Sequence, residues 1–532
     1  VAVGSYRCFT DYKGLDIRGA QYNIDPAGTL SRGSETVITS SVQITADNAS
    51  VNGFKMTSGS YIEISDAYNT ALNVNVSYNI LENATWPDGA VDLNGGNRCA
   101  GGYIGYNTIS GAWGYGIQTI QNDDVTMEYN HVLNSSGFAA IDAGYHDGTG
   151  IVIHGNTITD SGGKGINYWA EDGGLITDNV ITDSNFEAIY TDAQAIISGN
   201  QITGGNRHGI LVVAWTGGTA AGSTVSANTI SNTFYEGIQA KVPATITGND
   251  ISGCYHGIQI RNHATGTIIE WNKIHDNTYH GLEIPNYDFT GETVVTGVTI
   301  RNNTFTNNGY TGIKVGGGAD GSGININYNG FEGNVYFGVE SKIEVDDPSS
   351  YVDATHNWWG HASGPGGEGG RKNKVGKIIG KGDAVSYYVN WDPWLSQPTV
   401  PPTQILNKWD IEGTFVAHPT YNWGGLAEGA TWGYSIHIKE AMNGDFSVGS
   451  IYFTTGDIEV TGIVEQTKSD YAYWTGSNLA AAGRAEYNDV TYNFLFLYSE
   501  RSIWFTISQA DLEPSWSQET VWPGSLREYQ LH

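Results

Sequence analysis

Cysteine, proline, methionine and basic residues are scarce in this 532-residue chain, and the scarcities exclude several classes of protein. Three cysteines, Cys8, Cys99 and Cys254, are too few and odd in number for a disulfide framework, although a Cys8–Cys99 bridge stays open. No apolar run approaches the roughly 20 residues of a membrane-spanning helix. The net charge of -30 opposes binding to nucleic acid or an anionic membrane. We therefore expect no nucleic-acid partner and no membrane-spanning segment.

Charged residues make up only 15% of the chain, whereas glycine contributes 72 residues and Asn, Thr, Ser, Ile and Val are abundant. This composition favours short strands joined by tight turns, with very little helix. The numbering begins at Val1, without an initiator methionine. From this start and the absence of apolar spans we expect a processed, exported protein, located extracellularly or at the cell surface after removal of a signal peptide.

An asparagine recurs before a short apolar pair from about residue 50 to residue 360. The series is Asn52, Asn79, Asn107, Asn130, Asn156, Asn179, Asn200, Asn228, Asn249, Asn272, Asn303, Asn329 and Asn357. From Asn107 onward, a small residue and an aliphatic residue follow almost always nine positions later, as in Gly165-Ile166. The return to the next asparagine varies from 12 to 22 residues. A fixed arc and a variable arc predict a coil with insertions on one flank, and stacked asparagines predict an amide ladder along its axis.

The chain divides into four predicted parts. Residues 1–45 lack the repeat and are expected to form an N-terminal cap with the first irregular turns, and residues 46–396 form the coils. The Pro-rich segment 397–404 cannot continue a sheet and predicts a linker. Residues 405–532 carry seven of the 16 tryptophans and alternate as half-buried strands, which predicts an antiparallel β-sandwich or small barrel.

This repeat resembles the right-handed parallel β-helix proteins of the pectate-lyase-like superfamily. The resemblance implies an all-β fold of about 13 coils with three strands per coil. The segments His356-Asn357-Trp358-Trp359-Gly360 and Trp391-Asp392-Pro393-Trp394-Leu395 resemble the closing signature of secreted β-helix domains on archaeal and bacterial cell surfaces. Physically, such tryptophans suit the closing of an apolar tube.

Two outward columns on the coils carry the residues with the most chemistry. If the protein is an enzyme, the catalytic candidates are Asp142, Lys164, Glu187, Asp192 and His208, because stacked acids and bases suit proton transfer on a sugar polymer. The sequence patch around them includes His146, Asp147, Glu171 and Asp172, and the candidate sugar-stacking residues are Trp169, Tyr190 and Trp215. The alternative is a solvated ladder, because outward columns of a soluble β-helix must be polar.

Metal and partner sites are less defined. Asp123-Asp124 and Asp346-Asp347 permit Ca²⁺ but lack the spacing of a defined calcium loop, and we expect no other cofactor. A basic loop is the candidate interface with the acidic flank of a second copy, and its residues are Arg371, Lys372, Lys374, Lys377 and Lys381. A head-to-tail contact of this kind predicts a homo-oligomer or polymer.

The leading hypothesis from the sequence is an extracellular structural protein that forms or decorates a cell-surface layer, sheath or filament. Two alternatives remain open. One is a secreted polysaccharide lyase, epimerase or glycosidase whose C-terminal part binds carbohydrate. The other is an adhesin that binds glycans without turnover.

Overall fold

The computed structural model describes residues 1–398 except 12, 30, 65–70, 87, 94–99, 145–147, 171–172, 215–219, 262, 286–294, 318, 320, 344–350 and 368–379. Beyond residue 398 it describes the backbone of eight strands. The chain separates into two compact units, Val1–Val400 and Pro401–His532. The division falls inside the Pro-rich segment predicted to be a linker.

The first unit is a parallel β-helix with three strands per coil, which confirms the predicted fold. Each coil contributes one strand to each of three sheets, named A, B and C in chain order, and every strand pairs in parallel with its counterparts one coil away. Sheet A contains Gly4–Tyr6, Thr36–Ile38, Phe54–Met56, Ile80–Glu82, Thr108–Ser110, His131–Leu133, Thr157–Thr159, Val180–Thr182, Gln201–Thr203, Thr229–Ser231, Asp250–Ser252, Lys273–His275, Thr304–Thr306 and Gly330–Glu332.

Sheet B contains Phe9–Asp11, Val42–Ile44, Ile62–Ile64, Val91–Leu93, Ile117–Thr119, Ala139–Ala143, Lys164–Tyr168, Ile189–Thr191, Ile210–Val212, Glu236–Ala240, His256–Ile260, Leu282–Ile284, Thr311–Val315 and Phe337–Ser341. Sheet C contains Asp16–Arg18, Ser50–Asn52, Asn75–Ser77, Tyr103–Gly105, Thr126–Glu128, Val152–His154, Gly174–Thr177, Ala195–Ser198, Ser223–Ser226, Ala244–Thr247, Ile268–Glu270, Val298–Arg301, Ile324–Asn327, Val352–Asp353 and Val389–Asn390. Smaller elements are the pair Pro365–Gly366 and Gly382–Ala384 and the 3₁₀ turn Gly321–Gly323.

Alternation along each short strand sends one set of side chains into the tube and the other set outward. Ile158 of sheet A, Ile166 of sheet B and Ile153 of sheet C are fully buried and represent the inward set. Aliphatic residues dominate this core because the interior of the tube contains no water to hydrate a polar group.

The connections between sheets differ sharply in length. The sheet C to sheet A turn is almost always two residues, as in Gly155-Asn156, and its first residue often has a positive φ. The sheet B to sheet C connection ranges from three residues (192–194) to thirteen (285–297). The variable arc predicted from the sequence therefore flanks sheet B.

The predicted asparagine ladder runs without a break from Asn79 to Asn357. At Asn156, the Oδ1 atom accepts the backbone N–H and the Nδ2–H of Asn130 at 2.9 and 3.0 Å. Its own Nδ2 donates to the Met127 carbonyl at 2.9 Å and to Asn179 Oδ1 at 3.0 Å. Each rung thus satisfies backbone and side-chain groups that would otherwise be buried without partners.

Asn52 does not belong to this ladder, so that part of the predicted series is wrong. Asn52 pairs in register with Ser77, two residues before Asn79, and only Gly53 separates its strand from the next strand of sheet A. The shorter turn moves the asparagine out of line with the column. Asn52 bonds Asn23 and Ser77 instead.

The small residue at the end of the fixed arc has a steric cause. A Cβ placed on Gly165 would lie 2.5 Å from the Ala188 carbonyl oxygen on the next coil, and one on Gly257 would lie 2.5 Å from the Gly281 oxygen. The backbone of adjacent coils approaches closely at this bend. Glycine is favoured there because it offers no side chain to the neighbouring carbonyl.

The two ends of the first unit differ in structure. Residues 1–45, expected as a cap with irregular turns, contribute strands to the same three sheets from Gly4 onward. At the other end the fully buried Trp359 stacks on Phe331 at 5.0 Å between ring centroids, and Phe331 stacks on Phe305 at 5.3 Å. This internal aromatic column closes the core where the coils stop.

The second unit consists of antiparallel strands. One sheet has the spatial order Ile458–Gln466, Phe446–Thr455, Thr431–Ala441, Ile405–Val416 and Arg527–Glu528. The other has the order Leu479–Tyr487, Val490–Ser499 and Ser502–Gln509. The strands predicted from alternation lie inside these elements, and their packing as a sandwich or barrel stays a prediction.

Candidate functional site on the outer face of sheet B

Three parallel rows of side chains run along the outer face of sheet B. The central row is formed by the residue after the inward aliphatic of each strand, namely Glu63, Asp92, Gln118, Asp142, Asn167, Tyr190, Leu211, Gln239, Gln259, Glu283, Lys314 and Glu340. The first row lies three residues earlier and contains Ala139, Lys164, Glu187, His208, Glu236, His256, His280, Thr311 and Phe337. One residue before that is the aromatic edge, formed by Phe138, Phe186, Tyr235, Tyr255, Tyr279, Tyr310 and Tyr336.

Most of the central and first rows are buried although they point away from the core. Asp142 is 8% exposed, Lys164 6% and Glu187 4%. The expectation of a solvated ladder is therefore wrong for these residues. Rows this close shield one another, so polar groups on this face must find partners within it.

Asp142 and Lys164 are connected through an amide. The Lys164 Nζ donates to Asn167 Oδ1 at 3.0 Å, and Asn167 Nδ2 donates to Asp142 Oδ1 at 2.5 Å. Gln118 Nε2 donates to the other Asp142 oxygen at 3.1 Å. Burial raises the pKa of Asp142, and the two amide bonds oppose that rise. The geometry describes a carboxylate held in place by two amide donors.

The Lys164 ammonium lies between two aromatic rings. Its Nζ is 3.7 Å from the centroid of the Phe138 ring and 4.0 Å from that of Tyr190. Burial lowers the pKa of Lys164 to about 8, against the attraction of Glu187 and Asp142. The group is chemically suited to exchange a proton near neutral pH, but it is enclosed in the ligand-free protein.

The other residues predicted from the sequence surround this pair. Glu187 lies 3.5 Å from the Arg207 guanidinium, and Asp192 is buried two residues after Tyr190. The rings of Trp169 and Tyr190 are 6.2 Å apart and pack with Leu211 and Val213. Trp215, His146, Asp147, Glu171 and Asp172 lie outside the described residues.

Further along sheet B, histidines and glutamates replace the lysine–aspartate pair. His208 Nδ1 lies 2.5 Å from Glu236 Oε2, and this contact holds the pKa of Glu236 below its usual value although burial alone would raise it. His208 retains 14% side-chain exposure, which makes it the most accessible of the five catalytic candidates. The sequence identified His208 but not its partner Glu236.

His256 and His280 stack in parallel at 5.1 Å between ring centroids. His256 Nδ1 accepts the backbone N–H of His280 at 3.3 Å, and its Nε2 faces Glu283 at 3.4 Å. Burial lowers the pKa of His280 to about 3. Neither ring nitrogen of His280 has a hydrogen-bond partner in the described part of the chain.

Glu283 is the centre of a hydrogen-bonded row on the same face. Gln259 Nε2 donates to it at 2.8 Å, Lys314 Nζ donates at 2.9 Å, and Gln239 continues the row with a 2.6 Å bond to Gln259. Burial raises the pKa of Glu283, but His256 and Lys314 outweigh it and hold the pKa below the usual value. The charges on this half of the face are paired internally.

The aromatic edge forms a stack along the coil axis. The ring centroids of Tyr255 and Tyr279 are 5.5 Å apart, those of Tyr279 and Tyr310 4.6 Å, and those of Tyr310 and Tyr336 4.4 Å. The rings of Tyr255, Tyr279 and Tyr310 are stacked, and that of Tyr336 is tilted by 42° against Tyr310. Tyr255 and Tyr336 are 43% and 55% exposed.

Asp92 was missed because the sequence columns were counted only from Gln118 onward. Asp92 occupies the central row one coil before Gln118, and burial raises its pKa to about 7 against the hydrogen bond from Trp86. Extending the column backward by the same spacing would have found it.

The residues of the predicted metal and interface sites lie partly outside the described residues. No group of three or more His, Cys, Asp or Glu side chains converges as a metal site within the described residues. Asp123 instead accepts two bonds from Thr149 at 2.9 Å, and Asp346-Asp347 lies outside the described ranges. Of the basic loop, Lys381 is described and exposed, whereas Arg371, Lys372, Lys374 and Lys377 are not described.

Where the chain is described, no helix is long and apolar enough to span a membrane. Cys8 and Cys254 are free thiols, and Cys99 is not described.

Comparison with known proteins places the chain in a family. Residues 89–242 and 239–366 match the family model for the right handed beta helix region, which together is more than half of the chain. The chain belongs to this right-handed β-helix family. No curated protein sequence matches it.

Several solved structures are similar at low identity. The A-module of the mannuronan C-5 epimerase AlgE4 from Azotobacter vinelandii is 18% identical, covering 59% of this chain and 91% of its own, with a TM-score of 0.34. The tailspike protein of Escherichia coli bacteriophage HK620 in complex with a pentasaccharide is 10% identical, covering 88% and 87%, with a TM-score of 0.39. The catalytic unit of the GH87 α-1,3-glucanase from Streptomyces thermodiastaticus is 13% identical, covering 57% and 59%, with a TM-score of 0.30. No activity of this chain follows from these likenesses.

Proposed function

We propose that this protein binds a neutral polysaccharide lengthwise along the outer face of sheet B. The observation that carries the proposal is the aromatic edge, which runs beside a row of hydrogen-bonding side chains over successive coils. The protein surface repeats at about 4.8 Å per coil, so successive units of a regular polymer can make equivalent contacts on successive coils.

The chemistry of the edge fits sugar hydroxyls. Tyr255 and Tyr336 are exposed, Tyr279 and Tyr310 are half-buried, and a phenol both donates and accepts hydrogen bonds. Further exposed aromatic residues are Phe234, one coil before Tyr255 and 65% exposed, and Trp113, on the coil of Gln118 and 64% exposed. Aromatic surface with adjacent polar groups is the usual composition of a site for an amphipathic ligand.

The charge on the face favours a neutral polymer. Glu283 is paired with Lys314 and Glu236 with His208, and the described residues of this face form no cluster of unpaired cations that could hold a polyanion. The overall charge of -30 adds a repulsion against acidic polysaccharides.

Affinity electrophoresis of the full chain in gels containing different polysaccharides tests this function. The double variant Tyr279→Ala/Tyr310→Ala should weaken binding about tenfold, as expected for two lost hydrogen bonds of roughly 0.7 kcal/mol each. Tyr106→Ala is the matched control. Tyr106 belongs to a second tyrosine stack, 4.9 Å from Tyr78, on the turn between sheets C and A. Equal effects of the two changes, or no retardation by any neutral polysaccharide, would contradict the proposal.

Assembly into an extracellular layer, sheath or filament remains a second proposal, suggested by the acidic chain and the basic residues near Lys381. Electron microscopy of native material should show ordered polymers that dissociate at high salt. Monodisperse particles, or polymers indifferent to both salt and Lys372→Glu, would count against it.

A further inference from the structure

Two acidic residues of the central row face each other on adjacent coils near the N-terminal end of sheet B. Glu63 and Asp92 are direct register partners. Beside them, the rings of Tyr61 and Trp86 stack with centroids 4.6 Å apart. The Trp86 indole N–H donates to Asp92 Oδ2 at 3.3 Å. An aromatic wall and two carboxyl groups thus occupy one place on the proposed sugar-binding face.

The surroundings of Asp92 favour its protonated form. Its side chain is 1% exposed, and its Oδ1 atom has no partner in the described part of the chain. On the next coil, Gln118 Oε1 is likewise buried without a partner, because Gln118 turns its amide N–H towards Asp142. Asp92 and Gln118 are also register partners. Two unpartnered acceptors on register partners favour a protonated Asp92, because a carboxylic acid supplies a donor and a carboxylate does not.

The charges around Asp92 act in the same direction. Burial raises the pKa of Asp92 to about 7, nearby Asp88 and Glu63 add to the rise, and the bond from Trp86 opposes it. Glu63 is only half-buried. Two carboxyl groups in unlike surroundings are the arrangement by which one acts as an acid and the other as an anion.

The spacing of the pair selects a reaction. Adjacent coils lie about 4.8 Å apart, which matches the roughly 5–5.5 Å between the two carboxyl groups of glycosidases that retain the anomeric configuration. Asp142, two coils from Asp92, would suit the wider spacing of inverting enzymes. Asp142 accepts amide hydrogen bonds at 2.5 and 3.1 Å on its two oxygens, whereas the amide bond from Gln43 to Glu63 is longer, at 3.4 Å.

We propose that Asp92 and Glu63 form the acid and nucleophile of a retaining glycoside hydrolase site on the outer face of sheet B. This inference rests on the proposed binding of a neutral polysaccharide to that face.

The reaction balances with water as the only co-reactant. Asp92 gives its proton to the glycosidic oxygen, the bond from that oxygen to C1 breaks, and a Glu63 oxygen forms an ester with C1. The Asp92 carboxylate then takes a proton from water, whose oxygen displaces Glu63 from C1. Asp92 is again protonated, Glu63 is again ionised, and the two sugars end in hydroxyl groups.

Access to Asp92 requires a movement of Trp86 when the sugar binds. The 3.3 Å bond between the indole and Asp92 is long for an N–H donor, so its loss is inexpensive. A displaced indole remains next to Tyr61, where it can pack against the sugar ring.

The test incubates the full chain with neutral polysaccharides, measures new reducing ends and determines the first-formed anomer by NMR. Asp92→Asn and Glu63→Gln should each reduce the rate at least about 100-fold while leaving polysaccharide binding intact. The wild-type rate should fall as pH rises through about 7, where Asp92 loses its proton. Glu82→Gln is the matched control, because Glu82 lies on sheet A of the same coil as Asp92 and pairs with Lys55 at 3.0 Å.

The outcomes separate this proposal from the one on which it rests. Retention, with loss in both variants and not in the control, supports the site. Polysaccharide binding without new reducing ends overturns hydrolysis and leaves the binding function standing. Inversion of the anomer, or full activity of Asp92→Asn, also overturns the site. Failure of every polysaccharide to bind removes both proposals.

A substrate-independent check is the infrared band of a protonated carboxyl, which should be present at pH 6 and missing in Asp92→Asn. A wild-type spectrum without that band contradicts the assignment.

Discussion

The outer faces of sheets A and B follow the same alternation of side chains but create different environments. On sheet A the ion pair of Lys273 with Asp250 is 3.1 Å long, and its side chains are 55% and 44% exposed. On sheet B the pair of Lys314 with Glu283 is 2.9 Å long, with exposures of 21% and 10%. Ion pairs of nearly equal length are therefore exposed to solvent on sheet A and largely shielded from it on sheet B.

Polar residues therefore recur at regular intervals on both faces, but their exposure to solvent differs between the two faces. Several sheet B strands extend to five residues, as in Lys164–Tyr168, and the aromatic edge lies beside them. The variable connections also leave from this sheet. The pKa values of titratable groups are consequently shifted on sheet B, as they often are at functional sites. The outer face of sheet A is instead rich in Thr and Ser.

The largest effect is expected from breaking the element that both faces share. Asn200→Ala removes the acceptor for the backbone N–H and side chain of Asn179, and the donor to Ile176 and Asn228. Several buried groups lose partners at about 1–3 kcal/mol each, so we expect a loss of roughly 5 kcal/mol in the free energy of unfolding. Urea denaturation measures it. A loss below about 1 kcal/mol would show that the ladder is not an energetic support of the coils.

Asp92 should give the next largest effect, seen as a pH dependence of stability. Its folded pKa of about 7 lies above the unfolded value of 3.8, so the stabilisation is complete below the unfolded pKa and is lost as pH rises to about 7. The change amounts to roughly 4 kcal/mol for this carboxyl. Thermal unfolding at pH 4.5 and pH 8 should show a smaller decline for Asp92→Asn than for the wild type. Identical pH profiles would contradict the assignment of a buried acid.

The comparison of the two ion pairs gives a more moderate prediction. Lys314→Met leaves the buried Glu283 carboxylate with one fewer donor, and we expect a loss of about 2 kcal/mol in the free energy of unfolding. The partner loss should also raise the pKa of Glu283, moving the acid loss of stability to higher pH.

The matched change on sheet A should have the smallest effect. Lys273→Met removes an exposed pair, and such pairs contribute within about 0.5 kcal/mol. Parallel urea titrations of the two variants test the distinction. If Lys273→Met were as destabilising as Lys314→Met, the described difference between the faces would have no energetic meaning.

The sequence by itself determined the β-helix, because the repeat of Asn156 and Gly165-Ile166 states local requirements. An amide must bond the amide above it, only a small residue fits beside the carbonyl of the next coil at the position of Gly165, and aliphatic residues must fill the tube. These requirements recur in every coil, so the asparagine series and the variable flank were predictable. The exception was Asn52, where a shorter turn shifts the column by a distance that the residue type does not reveal.

Only the tertiary structure decided the character of the site. The sequence placed Asp142, Lys164, Glu187, Asp192 and His208 on neighbouring coils, but outward-pointing residues were as compatible with solvation as with burial. Burial depends on the neighbouring rows and on connections of unequal length, which are properties of several coils together. The spacing of the repeat places Asp92 in the same row, but its raised pKa comes from the burial that the assembled face imposes.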